Sequence, residues 1–169
     1  MPNAVRVALL VNPANAAGTE TALRIVQEAA PTIGLQIQIL KASTSREIDA
    51  AFATIERERP DALFVSGDAF FISRAVQLAT LTARGRIPAT YSGREFVEVG
   101  GLMSYGTDFP EAFRQVGVYT GKILKGAKPT DLPVTQSTKF ELVINLQTAR
   151  SLGIEVPPGV LSIADEVIE

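Results

Sequence analysis

Strand-length apolar runs alternate with helical patterns along this 169-residue chain, and that alternation limits the possible folds more than any other feature. The runs are Val5–Val11, Leu35–Leu40, Ala62–Val65, Ile87–Tyr91 and Leu102–Tyr105. The first interval carries an apolar stripe at Ala22, Val26, Ala29, Ala30 and Ile33, the second at Ile48, Ala51, Phe52 and Ile55. The third carries one at Ile72, Ala75, Val76 and Ala79, and the fourth a short helical patch at Arg94–Val99. A stripe repeating every 3.6 residues buries one helix face, and strands joined through such helices lie parallel. The expected class is therefore α/β: a doubly wound, mostly parallel sheet of Rossmann-like or flavodoxin-like order 2-1-3-4-5, with right-handed crossovers. Val5–Val11 and Ala62–Val65 are apolar at almost every position, as central strands covered on both faces must be. Gln36 and Gln38 alternate with Leu35, Ile37 and Ile39, which wets one face and puts that strand at an edge. Lys139–Ile144 alternates in the same way and is expected as a sixth strand, added late.

Local chemistry punctuates these elements. Thr44 and Glu47 form a capping box for the second helix. Asp68 is placed to cap the third. Pro31 removes a backbone donor and should stop or kink the first helix near Ala30. A later helix should begin near Pro110, turn Phe113, Val116, Thr120, Ile123 and Leu124 to one side, and end at Gly126. Asn145 caps a short helix that ends at Gly153. After Pro157-Pro158 a last short helix is expected, with Val160, Ile163, Ala164 and Val167 inward. The predicted organisation is a single α/β lobe over 1–169. Its β-α core spans 1–108, a helix and proline-containing connector 109–134, and the added strand with C-terminal helices 135–169.

Composition narrows the function. The chain has no cysteine and no histidine, which removes disulfides, thiol nucleophiles, imidazole bases, Ser-His-Asp triads and the usual zinc sites. The net charge of −2 argues against a nucleic-acid surface. No apolar run approaches the ~18 residues of a membrane span. The N-terminal stretch lacks a signal-peptide pattern, so a complete gene product of this sequence is expected in the cytoplasm. The turn after the first strand reads N-P-A-N-A-A-G, not G-x-G-x-x-G, and no G-K-[ST] or G-x-S-x-G occurs. A magnesium-dependent phosphoreceiver would need acidic residues where Asn12-Pro13 stand. No cofactor, no metal and no enzymatic role are expected.

The strand ends are the candidate site, because open α/β sheets bind ligands beyond the carboxyl ends of their strands. They carry Asn12 and Asn15, then Gly67 and Asp68, then Tyr91, Arg94 and Glu95, and finally Tyr105 and Asp108. A guanidinium grips a carboxylate with two parallel bonds, a carboxylate accepts an ammonium, and a tyrosine ring stacks on a side chain. That set suits a zwitterion. Each residue also has a purely structural reading: Asp68 as a cap, the asparagines in turn bonds, the tyrosines as core aromatics, and Arg94 and Glu95 as a solvated pair.

Several stretches carry a resemblance: VALLVNPAN (7–15), DALFVSGDAFF (61–71), IPATYSGREFVEVGGLMSYGTD (87–108), KILKGAKPTDLPV (122–134) and TKFELVINLQTARSLGIEVPP with the closing ADEVIE. The chain resembles the ABC-transporter substrate-binding proteins of the tryptophan/tyrosine type, which have a type I periplasmic-binding fold, and matches their C-terminal lobe. The resemblance implies an extracytoplasmic or periplasmic receptor that closes two lobes on a small solute, often an aromatic amino acid, and hands it to an ABC permease. It makes the nine strand-end residues above candidates for one wall of the cleft. It also implies that the Pro110–Lys125 helix lies against a lobe absent from this sequence. The helix is then expected to pack back on its own sheet or across a homodimer interface. The alternatives are an orphan or truncated lobe acting as a non-catalytic interaction or regulatory domain, or a small α/β enzyme.

Overall fold

The computed structural model describes residues 4–134 and 139–169. Its centre is a seven-stranded sheet in the order β2-β1-β3-β4-β5-β6-β7. The strands are β1 (Arg6–Val11), β2 (Gln36–Lys41), β3 (Ala62–Val65), β4 (Ala89–Tyr91), β5 (Met103–Thr107), β6 (Phe140–Asn145) and β7 (Glu166–Ile168). Every neighbouring pair is parallel except β5 and β6. The expected 2-1-3-4-5 order is present, β2 is the edge, and β6 extends the sheet beside β5. The expected boundary between 134 and 135 abuts residues 135–138, which lie outside the described residues.

The helices are α1 (Ala16–Ala29), α2 (Ser45–Glu58), α3 (Ala69–Ile72), α4 (Ala75–Gly85), α5 (Arg94–Glu98), α6 (Phe109–Leu124), α7 (Leu146–Leu152) and α8 (Pro158–Leu161). Pro31 acts as expected: α1 stops at Ala29 and the chain tightens into a 3-10 turn over Ala30–Ile33. The α2 box is formed. The Thr44 hydroxyl accepts from the Glu47 amide at 3.2 Å, and the Glu47 carboxylate accepts from Ser43, one residue before the cap.

Three expectations need correction. The third helix is broken at Ser73–Arg74, which re-phases its second part. α4 buries Ala75, Leu78, Ala79 and Thr82, while Val76 is 64% exposed. The tail does not end in a helix. α8 is one turn long, Ile163 is exposed, and Val167 sits in β7, paired with Ile144. A short apolar run carries no length signal to separate helix from strand, and here the edge of β6 decides. Finally, α6 does not pack back on its own sheet: among the described residues none of its positions is buried, and Phe113 and Leu124 are 70% and 83% exposed.

The two faces of the sheet differ. On one, Ala8, Leu10, Leu63, Val65 and Tyr91 meet Ile48, Phe52, Ile55, Leu78 and Phe96 in a closed core under α2, α4 and α5. On the other, α1 has no buried residue among those described. An open apolar trough of about 610 Å³ remains there, between Ile25 of α1 and Val160 of α8. Its floor comes from Ala62, Phe64, Thr90 and Met103, the strand positions that alternate with the closed core.

Candidate functional site

The chain order runs from β1 out to β2 and back to β3, so the sheet reverses direction between β1 and β3. The crevice at that reversal is where a doubly wound sheet receives ligands. Asn12 and Asn15 lie on the β1 side of it and Asp68 on the β3 side. Asp68 collects both asparagines: Asn12 Nδ2 donates to Oδ1 at 2.8 Å and Asn15 Nδ2 to Oδ2 at 2.9 Å. The same carboxylate caps α3 by accepting from the Phe70 amide at 2.9 Å. Partial burial opposes its charge, but the Asn12 and Asn15 amides and the Phe70 and Phe71 N–H groups outweigh that cost and hold its pKa below the ordinary carboxylate value. The result is a fixed anion, oriented from both sides of the reversal.

The asparagines are themselves held. Asn12 Oδ1 accepts from Ala14, and the Asn12 carbonyl accepts from Thr19 Oγ1 at 2.6 Å. Asn15 caps α1 by accepting from Gly18. Gly67 is exposed beside them, and a Cβ there would come to 3.2 Å from Ser92 Oγ at the tip of β4. Asn12, Asn15, Gly67 and Asp68 thus come together, with Ser92 at their margin.

The other expected residues go elsewhere. Tyr91 is wholly buried; its ring stacks on Phe96 at 4.5 Å, and its hydroxyl lies 3.1 Å from Thr82 Oγ1. It is a core residue, because Ala89 and Tyr91 face the closed core with Leu63 and Val65. Arg94 is fully engaged: Nε meets Glu98 at 2.8 Å, Nη1 meets Glu141 at 2.6 Å, and Nη2 meets Glu166 at 2.7 Å. The Glu98 bond first, then that to Glu166, raises its pKa further. The fork expected to hold a ligand carboxylate instead ties α5 to β6 and β7. Glu95 folds back beside Gly93, with Oε2 buried and without a hydrogen-bond partner among the described residues. Tyr105 is 59% exposed and stacks on Phe140 at 5.7 Å, on the strand face that also carries Met103 and Ile144. Asp108 caps α6 through the Glu111 amide and pairs with Lys139 at 2.7 Å. The Lys139 bond, then the Glu111 amide, lower its pKa.

Sequence reasoning missed Glu141, Glu166, Lys139 and Phe140 as partners of the site residues. Glu141 and Glu166 lie 47 and 72 residues from Arg94, and no local pattern links positions so far apart. Among the described residues, no group of three or more acidic side chains is placed to hold a metal ion. No helix among them is long and apolar enough to cross a membrane.

Comparison with known proteins agrees with this architecture. The family described as ABC transporter substrate binding protein matches residues 1–168. A tyrosine-binding protein from Clostridioides difficile (strain R20291) is 26% identical over 113 residues, which is 67% of this chain and 32% of that protein. The crystal structure of an ABC domain in complex with L-Trp from Streptococcus pneumoniae superposes with a TM-score of 0.88 at 28% identity, over 99% of this chain and 56% of that one. A conserved domain protein from Vibrio cholerae gives a TM-score of 0.88 at 25% identity, with 99% and 56% covered. The chain thus spans about half the length of these structures and a third of the curated relative. With the sheet order, the reversal crevice and the family match over nearly its whole length in agreement, the chain belongs to the ABC transporter substrate-binding proteins.

Proposed function

We propose that this chain is one lobe of a solute receptor and forms one wall of its cleft. Its solute carries an ammonium group beside an aromatic side chain, as an aromatic amino acid does. The observation that carries the reading is the Asp68 carboxylate, held ionised and aimed by Asn12 and Asn15 across the β1/β3 reversal. A carboxylate with its orientation fixed by two amides is built to accept an ammonium. L-Trp in the Streptococcus structure and tyrosine in the name of the Clostridioides relative support the same class. The cleft has no role for Arg94, so the solute's carboxylate is met by a second wall. Gly67 borders the same wall, while Glu95, Tyr91, Tyr105 and Asp108 lie elsewhere in the fold. The receptor is not an enzyme. It works outside the cytoplasm and delivers its solute to an ABC permease.

Calorimetric titration with L-tryptophan and L-tyrosine tests this. Pockets bury most of a ligand, so one wall alone binds weakly, with a dissociation constant of about 1 mM or above. Asp68→Asn should weaken binding at least about tenfold, roughly the worth of a charge-assisted bond, yet leave the fold intact because asparagine caps a helix as well. Because the Asp68 pKa is depressed, binding should persist through neutral pH and fade only below the ordinary carboxylate range. Equal binding by the native chain and the Asp68→Asn variant would remove Asp68 from the site.

A further inference from the structure

We propose that Arg74, propped against Phe70, is the residue that receives the solute's aromatic ring. This rests on the reading of Asp68 as the ammonium acceptor and adds the contact that selects the side chain. The row of groups starts at Asp68. Its Oδ1 accepts from the Phe70 amide at 2.9 Å, and the single turn of α3 closes where the Ile72 amide donates to the Asp68 carbonyl at 3.1 Å. Phe70 is half-buried. Its ring rests on the closed core and on Phe71, with centroids 5.5 Å apart, so it is held from one side. Arg74 follows four positions later. Long side chains near a helix lean back toward its N-terminus, and Arg74 does so: its guanidinium carbon stands over the Phe70 ring, 5.9 Å from the centroid. Carboxylate, ring and guanidinium therefore follow one another just beyond the tip of β3.

Nothing in the local structure calls for a cation at position 74. Arg74 is the N-cap of α4, where serine, threonine, aspartate or asparagine would bind the first amides, and it makes no such bond. A positive side chain at a helix N-terminus is opposed by the helix dipole. Among the described residues no acidic side chain pairs with it, and the group that steadies it is the Phe70 ring. A residue that breaks local rules without compensation inside the fold is where function is to be sought. A guanidinium is planar, weakly hydrated and stacks on aromatic faces. Phe70 lies on one side of this one, and Arg74 is otherwise exposed. A second ring there leaves the cation between two aromatic faces, each of which attracts it. An anion is the poorer occupant, because Asp68 already sets a negative charge at the head of the same turn. The ammonium at Asp68 and the ring at Arg74 then belong to one aromatic amino acid.

Amide chemical-shift titration tests this, with L-tryptophan, L-leucine and indole as probes at up to about 10 mM, the range of single-wall affinity. The native chain should bind tryptophan about fivefold more tightly than leucine, the worth of a partly exposed cation–π contact. Arg74→Gln should remove that preference and leave leucine binding unchanged. The amide spectrum shows whether the variant folds, and Arg74→Ser, which supplies the missing cap, replaces it where it does not. An Arg74→Gln chain that keeps the preference overturns the proposal. So does one that loses tryptophan and leucine alike, since the guanidinium would then meet the carboxylate they share. Indole separates this from the Asp68 reading, because it has neither ammonium nor carboxylate. It should shift the amides of residues 70–74 in the native chain and in Asp68→Asn alike, and not in Arg74→Gln. A native chain without that shift overturns the ring site, and Asp68 still stands if Asp68→Asn weakens tryptophan. An indole shift that needs Arg74, with tryptophan binding indifferent to Asp68→Asn, upholds the ring site and removes the Asp68 reading.

Discussion

Tyr91 stacks flat on Phe96, with their planes 9° apart, and its hydroxyl has one direction in which to donate. Thr82 spends its own proton on the Ala79 carbonyl at 2.9 Å, so Tyr91 donates to Thr82 Oγ1. Burial raises the phenol from 10.0 to about 12, more than the Thr82 bond lowers it. The neutral form is therefore the one the fold prefers. This stabilisation is complete below pH 10 and is lost as the pH rises toward 12. Its size is on the order of 3 kcal/mol once the unfolded chain is fully ionised. Urea melts at pH 8 and pH 11 should show a marked loss at the higher value. In Tyr91→Phe that step should shrink, and the neutral-pH stability should fall by about 1 kcal/mol for the lost bond. Arg94 carries the second residue-scale expectation. Removing it leaves three carboxylates facing one another, of which Glu141 is the best buried at 19% side-chain exposure. Arg94→Met should cost about 1–2 kcal/mol, since exposed pairs contribute little and an uncompensated half-buried charge costs more. Adding Glu141→Gln should recover part of the loss in the same melts. A lone Arg94 effect equal to that of the double variant would mean that Glu141 is not its main partner. The sequence offers both a structural and a ligand-facing reading of each residue and does not choose between them. An aromatic at a strand end and an arginine at a helix start look alike whether they face a cleft or a core. Parity along the strand says that Tyr91 sides with Ala89, but only the packed sheet says which side is wet.

At the scale of elements the reading was far more complete, because apolar period, caps and breakers are local. β1 to β5, the α2 box, the Asn145 cap and the stop before Pro31 all follow from residues within a few positions of one another. What escaped was decided by neighbours across the sheet. β7 exists because β6 offers an open edge. Asp165 opens the pairing: its amide donates to the Leu142 carbonyl at 2.9 Å, and its carboxylate accepts from the Leu142 amide at 2.8 Å. A second case is the approach of β5 to the turn after β4. Gly106 faces the Ser92 carbonyl so closely that a Cβ would run into backbone. Backbone cannot swing aside as a side chain does, so Gly106→Ala must shift β5 or the Ser92 turn. The expected cost is about 2–4 kcal/mol, above the usual overpacking range. Thermal denaturation reads this directly, with Gly117→Ala as control. Gly117 lies in α6 with open space at its Cβ, so alanine there should stabilise slightly through helix propensity. A neutral Gly106→Ala would show that the β4–β5 contact is looser than its geometry requires.

Across the whole molecule the two faces of the sheet set two levels of stability. The closed face buries Phe52, Phe71, Leu78 and Phe96 together, and its helices open only when that core opens. α6 is longer than α2, yet among the described residues none of its positions is buried. Length and propensity alone hold a helix of this size only marginally in water. Amide hydrogen exchange should separate these causes. α6 should exchange in minutes or faster while α2 and β3 stay protected through global unfolding. α1, which has no buried residue among those described, should fall between them. Protection of α6 as high as that of α2 would mean that its stripe is covered, and the contrast between the two faces would then lose its physical basis.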